Sequence, residues 1–410
     1  MAPRRILAVI QAGGAGGRMD VLTRERAKPA LPLAGVYQLV DVPLSNLVNS
    51  GVTDVWLSVQ FQGSTLEDQV GNGRPWDLDR TRGGLRLLMP QEGTGSDDEE
   101  GFAQGNADEL LRIRDQVRAF DPEVLLVLSA DHVYRFDVMD AVATHDAAGA
   151  ECTVVTTEVP VEEAGDHAVV TVGRDGQVTD FAYKPDDPSS GTIATEIFVY
   201  DPAVLVPVLE ELHRELADEA DEGDSGLGDF GEHLLPRLVD RGKVVAHALP
   251  GYWKDVGQPH HYLTVHRDLL TDDLGVLDQP GWPIRTQTPT RPPARVATGA
   301  VVEDSMVSPG AWVAGTVERS VLGPGVVVED GAVVRDSVLL ADTVVRSGAT
   351  VTWSVVDCGC EVGAGAVVGE GGDESCLDDP DRVTLVGRGS TVGSGVRLPA
   401  GSRLEPGTTA

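Results

Sequence analysis

Lysine is scarce in this sequence: among 410 residues only Lys28, Lys184, Lys243 and Lys254 carry an ammonium, against 28 arginines. A compact ammonium and a forked guanidinium are not interchangeable at a tight site, so each remaining lysine asks for a reason. Positive charge is short as a whole. With 32 Lys and Arg against 65 Asp and Glu the formal net charge is -33, which excludes electrostatic wrapping of nucleic acid or of an anionic membrane surface. The four cysteines are too few for a disulfide scaffold, and Cys358-Gly-Cys360 lacks the two-residue gap of common zinc ligand pairs. Plain thiols fit a reducing compartment. No apolar run reaches the length of about 18 residues that a membrane span needs. Arg4-Arg5 precedes an apolar run, but that run stops at Gln11 and leads into glycines rather than a cleavage site. The expected location is therefore the cytoplasm. Histidine is absent after His266.

What is there describes an ordinary globular chain, 41% hydrophobic and 24% charged, long enough for two or three domains of about 150 residues each. Short aliphatic runs at 6–10, 55–59, 124–129, 152–157 and 197–200 alternate with helical patterns such as 204–216, the signature of a mostly parallel sheet covered by helices. The acidic runs 97–100 and 218–224 read as solvated loops. Five prolines between residues 278 and 293 mark a linker. Beyond it Val321, Val327, Val333, Leu339, Val345 and Val351 stand six apart, and Val386, Val392, Leu398 and Leu404 keep the same step with Gly389, Gly395, Gly401 and Gly407 in register. That period fits a three-sided β-solenoid, one aliphatic inward per side and a small residue at each corner. It resembles the hexapeptide-repeat left-handed β-helix. Residues 371–384 break the repeat and read as a loop thrown out from a coil. The expected domains are 1–275 (α/β, Rossmann-like), 276–298 (linker) and 299–410 (β-helix).

Four stretches could carry chemistry. After the first strand come Gly13-Gly14-Ala15-Gly16-Gly17-Arg18 and then Lys28-Pro29. Glycines after a strand let backbone N–H groups approach phosphate, although a dinucleotide loop or a bare turn reads similarly. No Lys-Ser/Thr follows at P-loop spacing, while Arg18 and Lys28 lie where a polyphosphate would need neutralising. Asp131 ends the buried strand run Val127-Leu128-Ser129, the edge at which open α/β sheets bind ligands, although such an aspartate also serves as a helix cap. Phe181-Ala182-Tyr183-Lys184-Pro185 and Tyr252-Trp253-Lys254-Asp255 supply another rare lysine and a second acid. Asp131 and Asp255 with Arg18, Lys28 and Lys184 suit a Mg²⁺-nucleotide, the hard cation on carboxylates and the bases on phosphate.

The run 13–18, then Leu22-Thr23-Arg24-Glu25-Arg26-Ala27-Lys28-Pro29-Ala30, Asp41-Val42-Pro43-Leu44-Ser45-Asn46, Gly105-Asn106-Ala107-Asp108, Asp229-Phe230-Gly231, 252–257 and Trp282-Pro283-Ile284-Arg285-Thr286 resemble the glucose-1-phosphate adenylyltransferase family over nearly the whole chain. The resemblance implies a Mg²⁺-dependent transfer of AMP from ATP to a sugar 1-phosphate, with release of pyrophosphate and a role in glycogen or α-glucan synthesis. It assigns Arg18 and Lys28 to the triphosphate, Asp131 and Asp255 to Mg²⁺, and Lys184 to the sugar phosphate. Gln60, Gln91 and Gly105 would surround the base, beside the loop glycines Gly13, Gly14 and Gly16. A homotetramer is the implied assembly.

The departures fall mostly on sugar positions. Tyr183 replaces a Glu, Ala194-Thr195-Glu196 replaces Ser-Met-Gly, Ala103 replaces an aromatic, and Gly17 stands for a Thr or Ser. Losing buried groups that meet sugar hydroxyls costs about 1–3 kcal/mol each. A different sugar or base, or a regulatory paralogue without turnover, is the alternative. The regulatory lysine of bacterial relatives aligns with Glu25, so activation by an anionic sugar phosphate is not expected. Acyl transfer by the β-helix is disfavoured, because such enzymes use a His base and residues 267–410 contain none.

Overall fold

The computed structural model describes residues 4–14, 16–90, 102–216, 225–271 and 274–410. Gln91 and the acidic runs 97–100 and 218–224 lie outside them. By its contacts the chain divides into two compact units. One takes in the stretch ending at Gly14 with Pro43–Ala130 and Arg135–Trp253; the other takes in the stretch ending at Val42 with Asp131–Tyr134 and Lys254–Ala410.

In the first unit each aliphatic run forms its strand: Ile6–Ala12, Asp54–Val59, Val124–Ser129, Cys152–Glu158 and Thr192–Tyr200. The helical pattern becomes Pro202–Leu216, with Leu205, Leu209 and Leu212 buried. Ile6–Ala12 lies centrally, parallel to Asp54–Val59 on one side and to Val124–Ser129 on the other, and Gly84–Leu88 extends the parallel part. Thr192–Tyr200 enters antiparallel to Val124–Ser129 and to Cys152–Glu158, so the sheet is mixed beyond its parallel centre. The chain leaves Ile6–Ala12 for one side of the sheet and returns on the other. This sets the carboxyl ends of Ile6–Ala12 and Val124–Ser129 side by side, Gln11 opposite Ser129, and such a switch point is where open α/β sheets take ligands. Leu7, Val9, Leu125, Val127, Phe198 and Leu234 belong to one buried cluster on a sheet face.

In the second unit the C-terminal stretch forms three parallel six-stranded sheets, the three sides of a β-helix. The corner glycines Gly389, Gly395, Gly401 and Gly407 all have φ between 67° and 82°, the left-handed region that glycine enters without steric cost. The first aliphatic series needs a correction. Val317 pairs with Val334, Val334 with Val351 and Val351 with Val368, a coil of 17 residues. Three six-residue sides would make 18, so one side per coil has five. The fully buried positions are Leu322, Val328 and Val334, each one residue past Val321, Val327 and Val333, whereas Leu339, Val345 and Val351 do point inward. Paired valines such as Val327-Val328 and Val333-Val334 hide the slip, because either member keeps the pattern. Residues 371–383 leave the coil and contain the short 3-10 helix Glu374–Leu377, whereas Thr384 is already back in it, paired with Ser354. Residues 278–293 carry neither helix nor strand. No helix of the described residues is long and apolar enough to cross a membrane.

The corrected register is testable. Val334→Ala removes two buried carbons and should lower the unfolding free energy by about 2 kcal/mol. The half-buried neighbour, as Val333→Ala, should cost less than about half of that. Equal shifts in urea midpoint for the two variants would restore the uniform step of six.

Candidate active site

The glycine loop turns at Gly16, whose φ of 67° is left-handed. Its carbonyl accepts from Met19 N at 2.9 Å and from Thr23 Oγ1 at 2.8 Å, which folds the loop back on itself. A Cβ at Gly16 would stand 3.2 Å from the Lys28 Cβ, so glycine lets the loop pack on Lys28. Pro29 at the start of a 3-10 turn fixes the backbone beside it.

Lys28 is buried, and its Nζ lies 2.5 Å from Asp131 Oδ2 and 3.9 Å from Asp255 Oδ1. The two acids come from distant parts of the chain, tied by a bond from Val256 N to the Asp131 carbonyl at 3.2 Å. His132, also buried, sets its Nε2 3.5 Å from Asp131 Oδ1 and 3.6 Å from Asp255 Oδ1. Burial pushes the Lys28 ammonium down and Asp131 and Asp255 push it up further, leaving its pKa above the ordinary lysine value. Lys28 is thus charged at neutral pH. Arg18 is exposed, and its charge acts against that of Lys28. Of the four residues expected at the triphosphate and metal, Lys28, Asp131 and Asp255 stand together, and Arg18 is near enough for its charge to act on Lys28.

Two carboxylates reaching one ammonium are also two hard oxygen donors facing a shared point, and that donor set fits Mg²⁺. Asp131 and Asp255 would hold it.

The remaining expected residues that the structure describes lie in the first unit. Gln60 sits against Gly13, where a Cβ would be 2.5 Å from Gln60 Nε2; at Gly14 it would meet open space. Gly105 lies against Gly228, whose carbonyl would be 2.2 Å from an added Cβ. Tyr183 donates to Asp229 Oδ2 at 2.6 Å, and Lys184 Nζ stands 4.6 Å above the Tyr183 ring. Glu196 is close enough to raise the Tyr183 pKa, behind burial and Asp229. Lys184 and Glu196 both have left-handed backbones, φ 46° and 56°, a conformation that non-glycine residues keep only where their surroundings enforce it.

Residues 7–272 match the family described as "Nucleotidyl transferase" and 292–392 that described as "GlmU-like, C-terminal hexapeptide". Among similar proteins, a glucose-1-phosphate adenylyltransferase of Clostridium acetobutylicum is 35% identical over 332 residues, 80% of this chain and 84% of that one. Those of Halalkalibacterium halodurans and Clostridium botulinum (strain Eklund 17B) are 35% and 37% identical, spanning 79% and 80% of this chain and 82% and 83% of theirs. The chain belongs to the glucose-1-phosphate adenylyltransferase family.

Three residues of this family member escape motif reading. His132 was legible only as the neighbour of Asp131. Asp229 stands in the Asp229-Phe230-Gly231 motif, which does not reveal its partners; it accepts from Tyr183, and also from Asn106 N at 3.3 Å. Glu109, on the helix Asn106–Arg112, stands in no spacing pattern, and only the folded chain buries it.

Within the second unit the stretch leading to Lys28 is pinned to the β-helix. Arg26 donates to Asp357 at 2.5 Å with side chains 6% and 1% exposed. Asp20 pairs with Arg403 at 3.0 Å and Arg24 with Glu405 at 3.4 Å. The outer two pairs are exposed enough to contribute little; the buried one differs, because removing one partner strands the other charge. Arg26→Met should therefore destabilise the protein by about 3–5 kcal/mol. The double variant Arg26→Met/Asp357→Leu should recover most of that loss in chemical denaturation, and additive losses would mean that the pair is not coupled.

Proposed function

We propose that this chain transfers the adenylyl group of ATP to a sugar 1-phosphate, α-D-glucose 1-phosphate in the first instance, to give the ADP-sugar and pyrophosphate. A phosphate oxygen of the sugar phosphate attacks the α-phosphorus in line, the α–β anhydride bond breaks, and pyrophosphate leaves with that electron pair. Nothing here needs a covalent enzyme intermediate; alignment and charge neutralisation supply the catalysis. The observation that carries the reading is the buried Lys28 ammonium between Asp131 and Asp255, in a chain of the adenylyltransferase family.

Lys28 and Arg18 bind and orient the triphosphate, with the loop backbone at Gly13, Gly14 and Gly16 free to approach phosphate oxygens. Asp131 and Asp255 are the Mg²⁺ ligands. When bound, Mg²⁺ offsets phosphate charge and fixes phosphate geometry. His132, between the two acids, orients them. Gln60 and Gly105 serve the base and Lys184 the sugar phosphate. Tyr183 and Glu196 replace the family's sugar contacts, and the Tyr183–Asp229 bond favours an acceptor whose hydroxyl pattern differs from that of glucose as the second reading. A homotetramer feeding α-glucan synthesis in the cytoplasm completes the proposal; a monomer by light scattering would count against that assembly.

Pyrophosphate release with ATP, Mg²⁺ and a panel of sugar 1-phosphates tests the function. Turnover with glucose 1-phosphate supports the first reading, and turnover with another sugar alone supports the second. Silence across the panel from folded protein removes both and leaves a binding paralogue. Asp131→Asn and Asp255→Asn should each abolish turnover with the fold intact by circular dichroism. Normal rates in either would mean that the metal lies elsewhere.

A further inference from the structure

The first unit holds a cavity of about 120 Å³ whose lining includes Gln60, Arg86, Met89, Ala103, Glu109 and Gln116. One water needs about 10–15 Å³, so the space suits something larger. Three buried acceptor oxygens have no hydrogen-bond partner among the described residues and belong to side chains lining this one cavity: Glu109 Oε1, Gln60 Oε1 and Gln116 Oε1. The Glu109 side chain is 4% exposed, and its other oxygen, Oε2, accepts from Gln11 Nε2 at 3.2 Å. An orphaned buried acceptor costs about 1–3 kcal/mol, and three of them around one space call for a ligand that brings N–H donors. Gln60 and Gln116 can turn their amides over and offer NH₂ instead, so the demand rests on the carboxyl.

The residues adjoining the lining describe the rest of that ligand. Phe61 follows Gln60 and Phe102 precedes Ala103. Their rings stack at 5.1 Å and 11° while staying 37% and 44% exposed. Met89, which lines the cavity, is 42% exposed. Flat apolar surface next to orphaned acceptors suits a planar heterocycle that carries an amino group. Ala103, which lines the cavity, stands where the family pattern has an aromatic.

We propose that Glu109 is a specificity-determining residue for the nucleobase, its Oε1 accepting a hydrogen bond from the exocyclic amino group of an amino-bearing base. This rests on the nucleotidyltransferase reading above and deepens it. Burial brings the carboxyl pKa up to about 7, with the Ser58, Gln11 and Gln60 side chains pulling against burial and Asp108 adding to it. The group therefore keeps an acceptor oxygen in either protonation state near neutrality.

The test compares ATP with purine riboside 5′-triphosphate, which is ATP without its 6-amino group. Wild-type protein should prefer ATP by about 10-fold in kcat/KM, the worth of one such hydrogen bond. Glu109→Ala should bring the ratio close to one, and Glu109→Gln, which keeps an acceptor and the shape, should restore most of it. A packing role alone would lower stability and leave the ratio unchanged, so an unchanged ratio in Glu109→Ala overturns the proposal. Calorimetric Kd values for both nucleotides, measured without sugar phosphate, give the same comparison where turnover fails. A 10-fold binding preference that vanishes in the variant supports Glu109 even if the transfer reaction is absent. Equal binding of both nucleotides by wild-type protein sinks it even if transfer is present.

Discussion

A buried ammonium has to be met by carboxylate, and in this molecule that requirement ties together three stretches of chain that are far apart in sequence. Lys28 reaches Asp131 and Asp255, and the same ammonium buried with neither acid would be an uncompensated charge whose desolvation costs several kcal/mol. A guanidinium would serve poorly here. Its planar fork pairs side-on with one carboxylate, whereas the round ammonium can be approached by two from different directions. In a chain with 28 arginines that geometric difference accounts for a lysine at position 28. By contrast Lys243 pairs with Glu151 at 3.2 Å while 61% exposed, a place where either base would do.

The parts of the fold legible in the sequence are those that repeat or that bury whole strands. Five aliphatic runs became five strands because a strand covered on both faces has no room for polar residues. The β-helix was legible from its period, yet the inward register at Val321, Val327 and Val333 was read one residue early. Doubled valines satisfy two registers at once, and only the pairing of Val317 with Val334 separates them. The mixed character of the sheet was less accessible, since Thr192–Tyr200 has the same apolar content whichever way it runs. At the candidate site, Lys28 was legible because lysine is rare, Asp131 and Asp255 because they stand at strand ends, and Arg18 because it follows the glycine run. His132 and Asp229 act through partners distant in sequence, and no spacing rule reports such contacts.

The sugar-site departures form a structure of their own rather than a gap. Tyr183 bonds Asp229, its ring lies against Gly231, where a Cβ would be 2.1 Å away, and it packs edge-on to Phe230 at 6.0 Å. The motif Asp229-Phe230-Gly231 thus supplies an acceptor, an aromatic wall and the space that a tyrosine needs. Left-handed backbones at Lys184 and Glu196 cost about 1–3 kcal/mol each. Both positions nevertheless keep charged side chains in that backbone.

Two buried titratable groups, Lys28 and Glu109, meet the same physical problem in opposite ways, and the contrast separates two kinds of site. Lys28 is satisfied from within: its acids cancel the desolvation cost, and a polyphosphate has to compete with them for the ammonium. The same two carboxylates are the hard oxygen donors that a divalent cation prefers, which is the basis of the metal role proposed for them. Glu109 has hydrogen-bond support on one oxygen only, and burial moves it toward neutrality instead of toward a counter-ion. Near neutrality such a group passes between its charged and neutral forms, and in both it keeps a directional acceptor that rewards one ligand edge over another. The paired group therefore suits charge handling and the orphaned one suits discrimination, a division that follows from what each side chain lacks.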